Sequence, residues 1–330
     1  EMKKNNGLIT EDDLKKYYPI WRKPLISNYR DTQIITMGPP SSGGLHVIQM
    51  LNIVENYDLK NMGHNSTNYV NLLAEVMKYA YSDRSKYLGD PDFYDVPVEK
   101  IISKEYAAEI NDNIDIGLST PVDDIYPGKF LDRESHETTH FSVVDEEGNV
   151  VSMTYTLNST FGSKVVVKGT GILMNNEMDD FSAAPGVPNQ FNLLGADANA
   201  IAPYKRPLSS MTPTIVLKNN ELFFTTGSPG GARIISAVFQ SILNIIDFKM
   251  NLEEATLAKR LHHQWYPDML EFEFSIDEKI NDELKNMNYI TKTTLPLTCL
   301  QTIMFIEDTY YGYGDFRRVD ALASGNINVR

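Results

Sequence analysis

The chain has 330 residues, 42% of them hydrophobic and 22% charged, which is enough for one large domain or two ordinary ones. A net charge of −14 argues against nucleic acid, whose phosphates call for Lys and Arg patches, and fits plain solubility. The single cysteine, Cys299, excludes an internal disulfide, and no apolar run approaches the roughly 18 residues of a membrane span. The first residue is Glu1, with no initiator Met, as in a fragment or a processed product.

The first 115 residues read mostly as helix. Thr10-Glu11-Asp12-Asp13 is a capping-box-like start for a short helix through Tyr18. A strand over Gln33–Met37 runs into Pro39-Pro40-Ser41-Ser42-Gly43-Gly44, and the helix after it carries Val47, Leu51 and Val54 on one face. A longer helix places Tyr69, Leu72, Leu73, Val76, Met77 and Ala80 at helical spacing, and a third runs from about Val98 to Asn111. Residues 115–137 have no regular period and hold Pro121, Pro127 and Gly128, so they read as a loop or linker.

After Thr138 the pattern turns to β. Phe141 and Val143, then Val151, Met153, Tyr155 and Leu157, alternate with polar residues around a turn at Glu146-Glu147-Gly148-Asn149. Pairing Asp145 with Val150 sets Thr138 opposite Leu157, between Thr156 and Asn158. Residues 181–207 read as a long ordered loop of the kind that forms lids. A second hairpin joins Thr214–Leu217 to Leu222–Thr226. It leads through Gly227-Ser228-Pro229-Gly230-Gly231 into a helix from about Ala232 to Phe248. The tail mixes short helices and strands.

Chemistry concentrates around Glu137-Thr138-Thr139-His140-Phe141. A threonine hydroxyl is a poor nucleophile unless a base stands beside it. Cutting the Glu137–Thr138 bond frees the α-amine of Thr138, which then serves as that base. Left uncut, the same residues are only the start of a strand. The Gly227–Gly231 turn lies between strand and helix, so its free N–H groups can hold an anion or an oxyanion, or it is a plain turn. Asn175-Asn176-Glu177-Met178-Asp179-Asp180 can grip an ammonium, or be a solvated loop. Ser209-Ser210 can donate hydrogen bonds, or merely open a strand. His262-His263 and the scattered histidines show no metal spacing.

Together these pieces resemble the γ-glutamyltranspeptidase family. The matching segments, in the family's order, begin with Met37–Gly44, Lys78–Arg84 and Leu88–Phe93. They continue with Thr138–Asp145, Thr154–Asn158, Asn175–Ser182, Lys205–Met211 and Thr226–Arg233. The resemblance implies an α+β fold, the four-layer αββα sandwich of the N-terminal-nucleophile hydrolases. It also implies a precursor that cuts itself between Glu137 and Thr138. Residues 1–137 would then be the C-terminal part of the large subunit and residues 138–330 the small catalytic subunit, the two staying together as a heterodimer. Thr138 would form a γ-glutamyl acyl-enzyme with donors such as glutathione, and water, amino acids or peptides would accept the acyl group. Thr156 would orient Thr138. Asn158, Glu177 and Asp180 would bind the donor's α-amino group, Ser209 and Ser210 its α-carboxylate. Gly230 and Gly231 would form the oxyanion hole, and Phe181–Tyr204 the lid. No metal or cofactor is implied, and the location expected is periplasmic or secreted. Three departures stand out. The family precursor is longer at its N-terminal side, where it carries a carboxylate-binding arginine that no residue here can be assigned to replace. Phe191 stands where bacterial members often have tyrosine, and Glu177 where many have glutamine. Alternatives are a cephalosporin acylase or poly-γ-glutamate depolymerase of the same fold, or an unprocessed homologue that only binds a ligand or partner.

Overall fold

A computed structural model of the chain describes residues 1–125, 138–184, 187, 189 and 193–325. Glu137 and Phe191, both singled out above, lie outside the described residues. Helix α1 (Glu11–Lys16) starts as expected: Asp13 N–H donates to Thr10 Oγ1, and the Asp13 carboxylate accepts from Thr10 N–H. Strands β1 (Leu25–Tyr29) and β2 (Thr32–Thr36) form an antiparallel hairpin. Only β2 is legible in the sequence. At the sheet edge, β1 buries just Tyr29 fully, so it shows no apolar alternation.

Helices α2 (Gly43–Val54), α3 (Leu59–Met62) and α4 (Thr67–Tyr87) follow. The helix expected over about Val98–Asn111 is two, α5 (Val98–Ile101) and α6 (Lys104–Asn111). Ser103 leaves the helix and accepts from Tyr106 N–H at 3.1 Å, which caps α6 and breaks the run. Next come β3 (Thr139–Val144), β4 (Val150–Tyr155), β5 (Thr214–Lys218) and β6 (Glu221–Thr226). The rest is α7 (Arg233–Ile246), α8 (Leu252–Leu257), β7 (Leu261–His262), β8 (Leu270–Phe272), α9 (Glu278–Asn286), β9 (Thr291–Thr293), β10 (Gln301–Ile306) and β11 (Thr309–Gly314).

An antiparallel sheet of order β1-β2-β5-β6-β10-β11 is the centre of the molecule. Its Ile34, Val216, Phe224 and Met304 share one core with α2, α4 and α7. Every residue of α2 and of α7 is buried, as in helices enclosed on all sides. On the other side of the sheet lies the β3–β4 hairpin, touching β5, β6 and β10. Helices, sheet and hairpin stack in that order, the α+β class that the sequence led us to expect.

The hairpin is unusual in its polarity. His140, Ser142, Ser152 and Thr154 lie on one face, and Phe141, Val143, Val151, Met153 and Tyr155 on the other, each 40–56% exposed. The alternation foreseen is present, but the apolar side faces outward. The register also differs from expectation by one residue. Val144, not Asp145, pairs with Val150. Asp145 instead closes the turn: its carboxylate accepts from Asn149 N–H and Nδ2–H, each at 2.7 Å. The slip moves Thr138 from opposite Leu157 to beside Thr156.

Ser119 and Thr120, which follow α6, are held from the core. Lys78, wholly buried, pairs with Glu75 at 2.8 Å and donates to Ser119 Oγ and the Thr120 carbonyl. Glu75 in turn accepts from Thr120 N–H and Tyr289 O–H. Removing one partner of such a buried pair costs about 3–5 kcal/mol, because the other charge is left uncompensated.

Candidate active site

Thr138 is half-buried and immediately precedes β3. Its hydroxyl donates to Thr156 Oγ1 at 3.3 Å, and Thr156 Oγ1 also accepts from Asn158 N–H at 2.8 Å. The Thr138 carbonyl accepts from Arg318 Nη1 at 3.2 Å. Asn158 is buried with φ at 73°, a left-handed conformation that asparagine tolerates better than most residues. Its amide donates to the Asn176 carbonyl at 3.1 Å, tying the end of the hairpin to the acidic turn.

That turn is a single 3-10 stretch, Glu177–Asp180. Burial raises the pKa of both Glu177 and Asp180. For Asp180 the neighbouring Glu177 carboxyl raises it further, and Arg84 opposes the rise. Two carboxyls this close disfavour each other's charge. The Asp180 carbonyl accepts from Asn199 Nδ2 at 2.7 Å, and Asn199 Oδ1 accepts from Leu208 N–H at 3.0 Å. One buried amide thus sets the acidic turn against the Ser209-Ser210 segment.

Ser209 and Ser210 are bonded edge-on to the Pro-Pro-Ser-Ser-Gly-Gly turn. Ser209 N–H donates to the Pro40 carbonyl, and Ser42 N–H donates back to the Ser209 carbonyl, both at 2.9 Å. A Cβ on Gly43 would stand 2.8 Å from the Met211 carbonyl and 2.9 Å from that of Ser210, so only glycine permits this approach.

The glycine turn between β6 and α7 has φ at 134° for Gly230 and 56° for Gly231, both positive. It is braced from behind. A Cβ on Gly230 would meet Thr298 Cγ2 at 2.9 Å, and Cys299 N–H donates to Ser228 Oγ at 2.9 Å. Thr298 is fixed by Glu273, which Arg317 pairs at 3.2 Å.

Thr138, Thr156, Asn158 and Asp180 line one pocket with Ser209, Ser210 and Gly231; its empty space, counting the open solvent at its mouth, is about 340 Å³. Glu177 and Gly230 are not part of the wall, although each adjoins a segment that is. The pocket also contains Arg84, to which sequence reasoning gave no role although it ends the quoted segment Lys78–Arg84. Asn199 was missed as well; nothing in its sequence neighbourhood marks it. Among the described residues no group of three or more His, Cys, Asp or Glu side chains is arranged to hold a metal ion. No described helix is long and apolar enough to cross a membrane. The pocket therefore combines a hydroxyl nucleophile candidate with an acidic residue, a pair of serines and a glycine turn.

The family model for gamma-glutamyltranspeptidase matches residues 1–325. The glutathione hydrolase proenzyme of Escherichia coli (strain K12) is 51% identical over 328 residues, which cover 98% of this chain and 56% of that protein. Among solved structures, gamma-glutamyltranspeptidase from Pseudomonas nitroreducens complexed with L-DON is 44% identical. It matches with a TM-score of 0.54 over 57% of this chain and 98% of that one. Cephalosporin acylase from Bacillus halodurans is 26% identical and matches with a TM-score of 0.80 over 96% of this chain and 55% of that one. The chain spans about half the length of the curated relatives it matches.

Proposed function

The chain belongs to the γ-glutamyltranspeptidase family, with the α+β fold of N-terminal-nucleophile hydrolases, and from that footing we propose that it is the catalytic portion of a γ-glutamyl acyltransferase and hydrolase. The observation that carries the proposal is the single pocket uniting Thr138 and Thr156 with Asp180, Ser209, Ser210 and Gly231. A γ-glutamyl head is a zwitterion, so it needs acid at one end and hydroxyl donors at the other. The pocket offers both kinds of group, and the threonine hydroxyl lines the same space.

Cleavage between Glu137 and Thr138 supplies the amine. Its pKa of about 8 suits a base near neutral pH. Thr138 Oγ1 attacks the γ-carbonyl carbon while its proton passes to the α-amine. The tetrahedral oxyanion is met by N–H groups of the Gly230-Gly231 turn, each worth about 3–4 kcal/mol in the transition state. The C–N bond breaks, the leaving amine takes the proton, and a γ-glutamyl ester of Thr138 remains. Water, an amino acid or a peptide amine then takes the acyl group. Thr156 holds the nucleophile; Asn158, Glu177 and Asp180 bind the α-ammonium, and Ser209 and Ser210 the α-carboxylate. Glutathione is the donor expected, since the E. coli relative is a glutathione hydrolase. A periplasmic or secreted location belongs to the same proposal, as does the pairing of residues 1–137 and 138–330 as two subunits.

The test is release of the arylamine from a γ-glutamyl anilide by the full-length protein. Thr138→Ala is expected to abolish both self-cleavage and release. Retained turnover in that variant would remove Thr138 from the chemistry. The likeness to cephalosporin acylase favours a second reading, in which the acyl donor is a cephalosporin rather than a γ-glutamyl compound. A cephalosporin deacylated faster than the γ-glutamyl anilide is cleaved would favour that reading.

A further inference from the structure

Arg84 is a cation buried in the wall of the pocket, 4% exposed, near the C-terminal end of α4. Its Nε–H donates to Ser42 Oγ at 3.0 Å and its Nη2–H to Ser210 Oγ at 3.1 Å. A guanidinium can only donate. Each of these bonds therefore occupies a lone pair on the serine oxygen and leaves the serine O–H to donate elsewhere. For Ser42 the outlet is visible: its hydroxyl donates to the Ser209 carbonyl at 2.8 Å. For Ser210 no second partner of the hydroxyl is present among the described residues, and Ser210 lines the pocket.

We propose that Arg84 is a positioning residue that makes Ser210 a one-way donor to an anionic group, the α-carboxylate of the γ-glutamyl substrate. This rests on the functional reading above. The cation polarises the Ser210 hydroxyl and turns its proton toward the pocket, so an acceptor is welcome there and a second donor is not. Charge is balanced as well: Asp180, on the same wall, feels Arg84 as a favourable charge against its burial and the Glu177 carboxyl. Arg84 thus stands between the two ends of the zwitterion site and sets their polarity. Burial lowers its own pKa to about 10, which leaves it charged at neutral pH.

The test uses full-length protein and two chromogenic substrates, γ-glutamyl-p-nitroanilide and its decarboxylated counterpart 4-aminobutyryl-p-nitroanilide. Arg84→Gln and Ser210→Ala are each expected to raise KM for the first substrate about tenfold, with kcat within about threefold. The double variant should be no worse than the worse single one, because both act through one hydrogen bond. For the decarboxylated substrate neither single change should move KM more than about twofold. Arg84→Lys keeps the charge but cannot serve both serines with the same fork, so an intermediate KM is expected. Equal losses on both substrates, or losses that multiply in the double variant, would overturn the assignment. If Arg84→Gln gives no folded protein, Arg84→Lys carries the same comparison. Failure of both to fold would make Arg84 a core residue and overturn the assignment too. Wild-type protein that releases nothing from γ-glutamyl-p-nitroanilide defeats the functional reading itself; turnover without the substrate-dependent pattern defeats only Arg84.

Discussion

At the scale of single residues, the Glu177–Asp180 pair is where electrostatics would govern the ammonium binding proposed above. Both carboxyls sit above their ordinary range, chiefly through burial. At acidic pH the pair is neutral and attracts an ammonium weakly. As pH rises the pair ionises, so kcat/KM for an ammonium-bearing donor is expected to rise along an acidic limb. Glu177→Gln removes the like charge beside Asp180, which lets Asp180 ionise at lower pH. The acidic limb should then move to lower pH. A pH profile of kcat/KM for the two proteins checks this, and an unmoved limb would place the titration elsewhere. Glutamine at this position, as in many family members, would still accept from an ammonium.

Among the elements, the β3–β4 hairpin and the glycine turn behave as one piece. The His140 ring lies so close over Gly227 that a Cβ there would be 2.2 Å from its Cε1. His140 Nδ1 meets Thr154 Oγ1 at 2.9 Å, and Nε2 meets Ser142 Oγ at 3.2 Å. Burial pushes its pKa down to about 4, so the ring is neutral at physiological pH. Ser142 donates to the Gln301 carbonyl, and Gln301 N–H donates to the Gly227 carbonyl. The strand that carries Thr138 is thus joined to the turn proposed to hold the oxyanion. Gly227→Ala is expected to cost about 1–3 kcal/mol of stability, from overpacking against ring and backbone. It should lower kcat more than it raises KM, since the turn acts mainly in the transition state. Thermal unfolding beside steady-state kinetics measures both; an unchanged kcat would uncouple hairpin from turn.

The same elements show what the sequence could and could not disclose. Periodicity located α4, α7 and both hairpins because each has an apolar stripe of the right period. It could not say that the apolar side of β3–β4 faces outward, since alternation carries no direction. Nor could it fix the register, which the Asp145 side chain sets by closing the turn. The segments that make the pocket were recognisable by resemblance. Arg84 lies in one of those segments, but its role was not legible, because it depends on Ser42 and Ser210, which lie 42 and 126 positions away along the chain. Asn199 links Asp180 to Leu208 in the same way.

At the scale of the molecule, a cut before Thr138 would leave one body. Strands β1 and β2 precede the cut, whereas β5, β6, β10 and β11 follow it, and β2 pairs with β5 inside one sheet. Helices α2 and α4 before the cut share their core with α7 after it. The outward apolar face of the hairpin, from Phe141 to Tyr155, lies outside that shared core. The central claim is that Thr138 becomes the first residue of a catalytic piece. Intact mass spectrometry of the full-length protein, first native and then denatured, tests it most directly. The account predicts a single complex under native conditions that separates on denaturation into two pieces, one beginning at Thr138. A chain still whole after long incubation, or cut at any other bond, would contradict it.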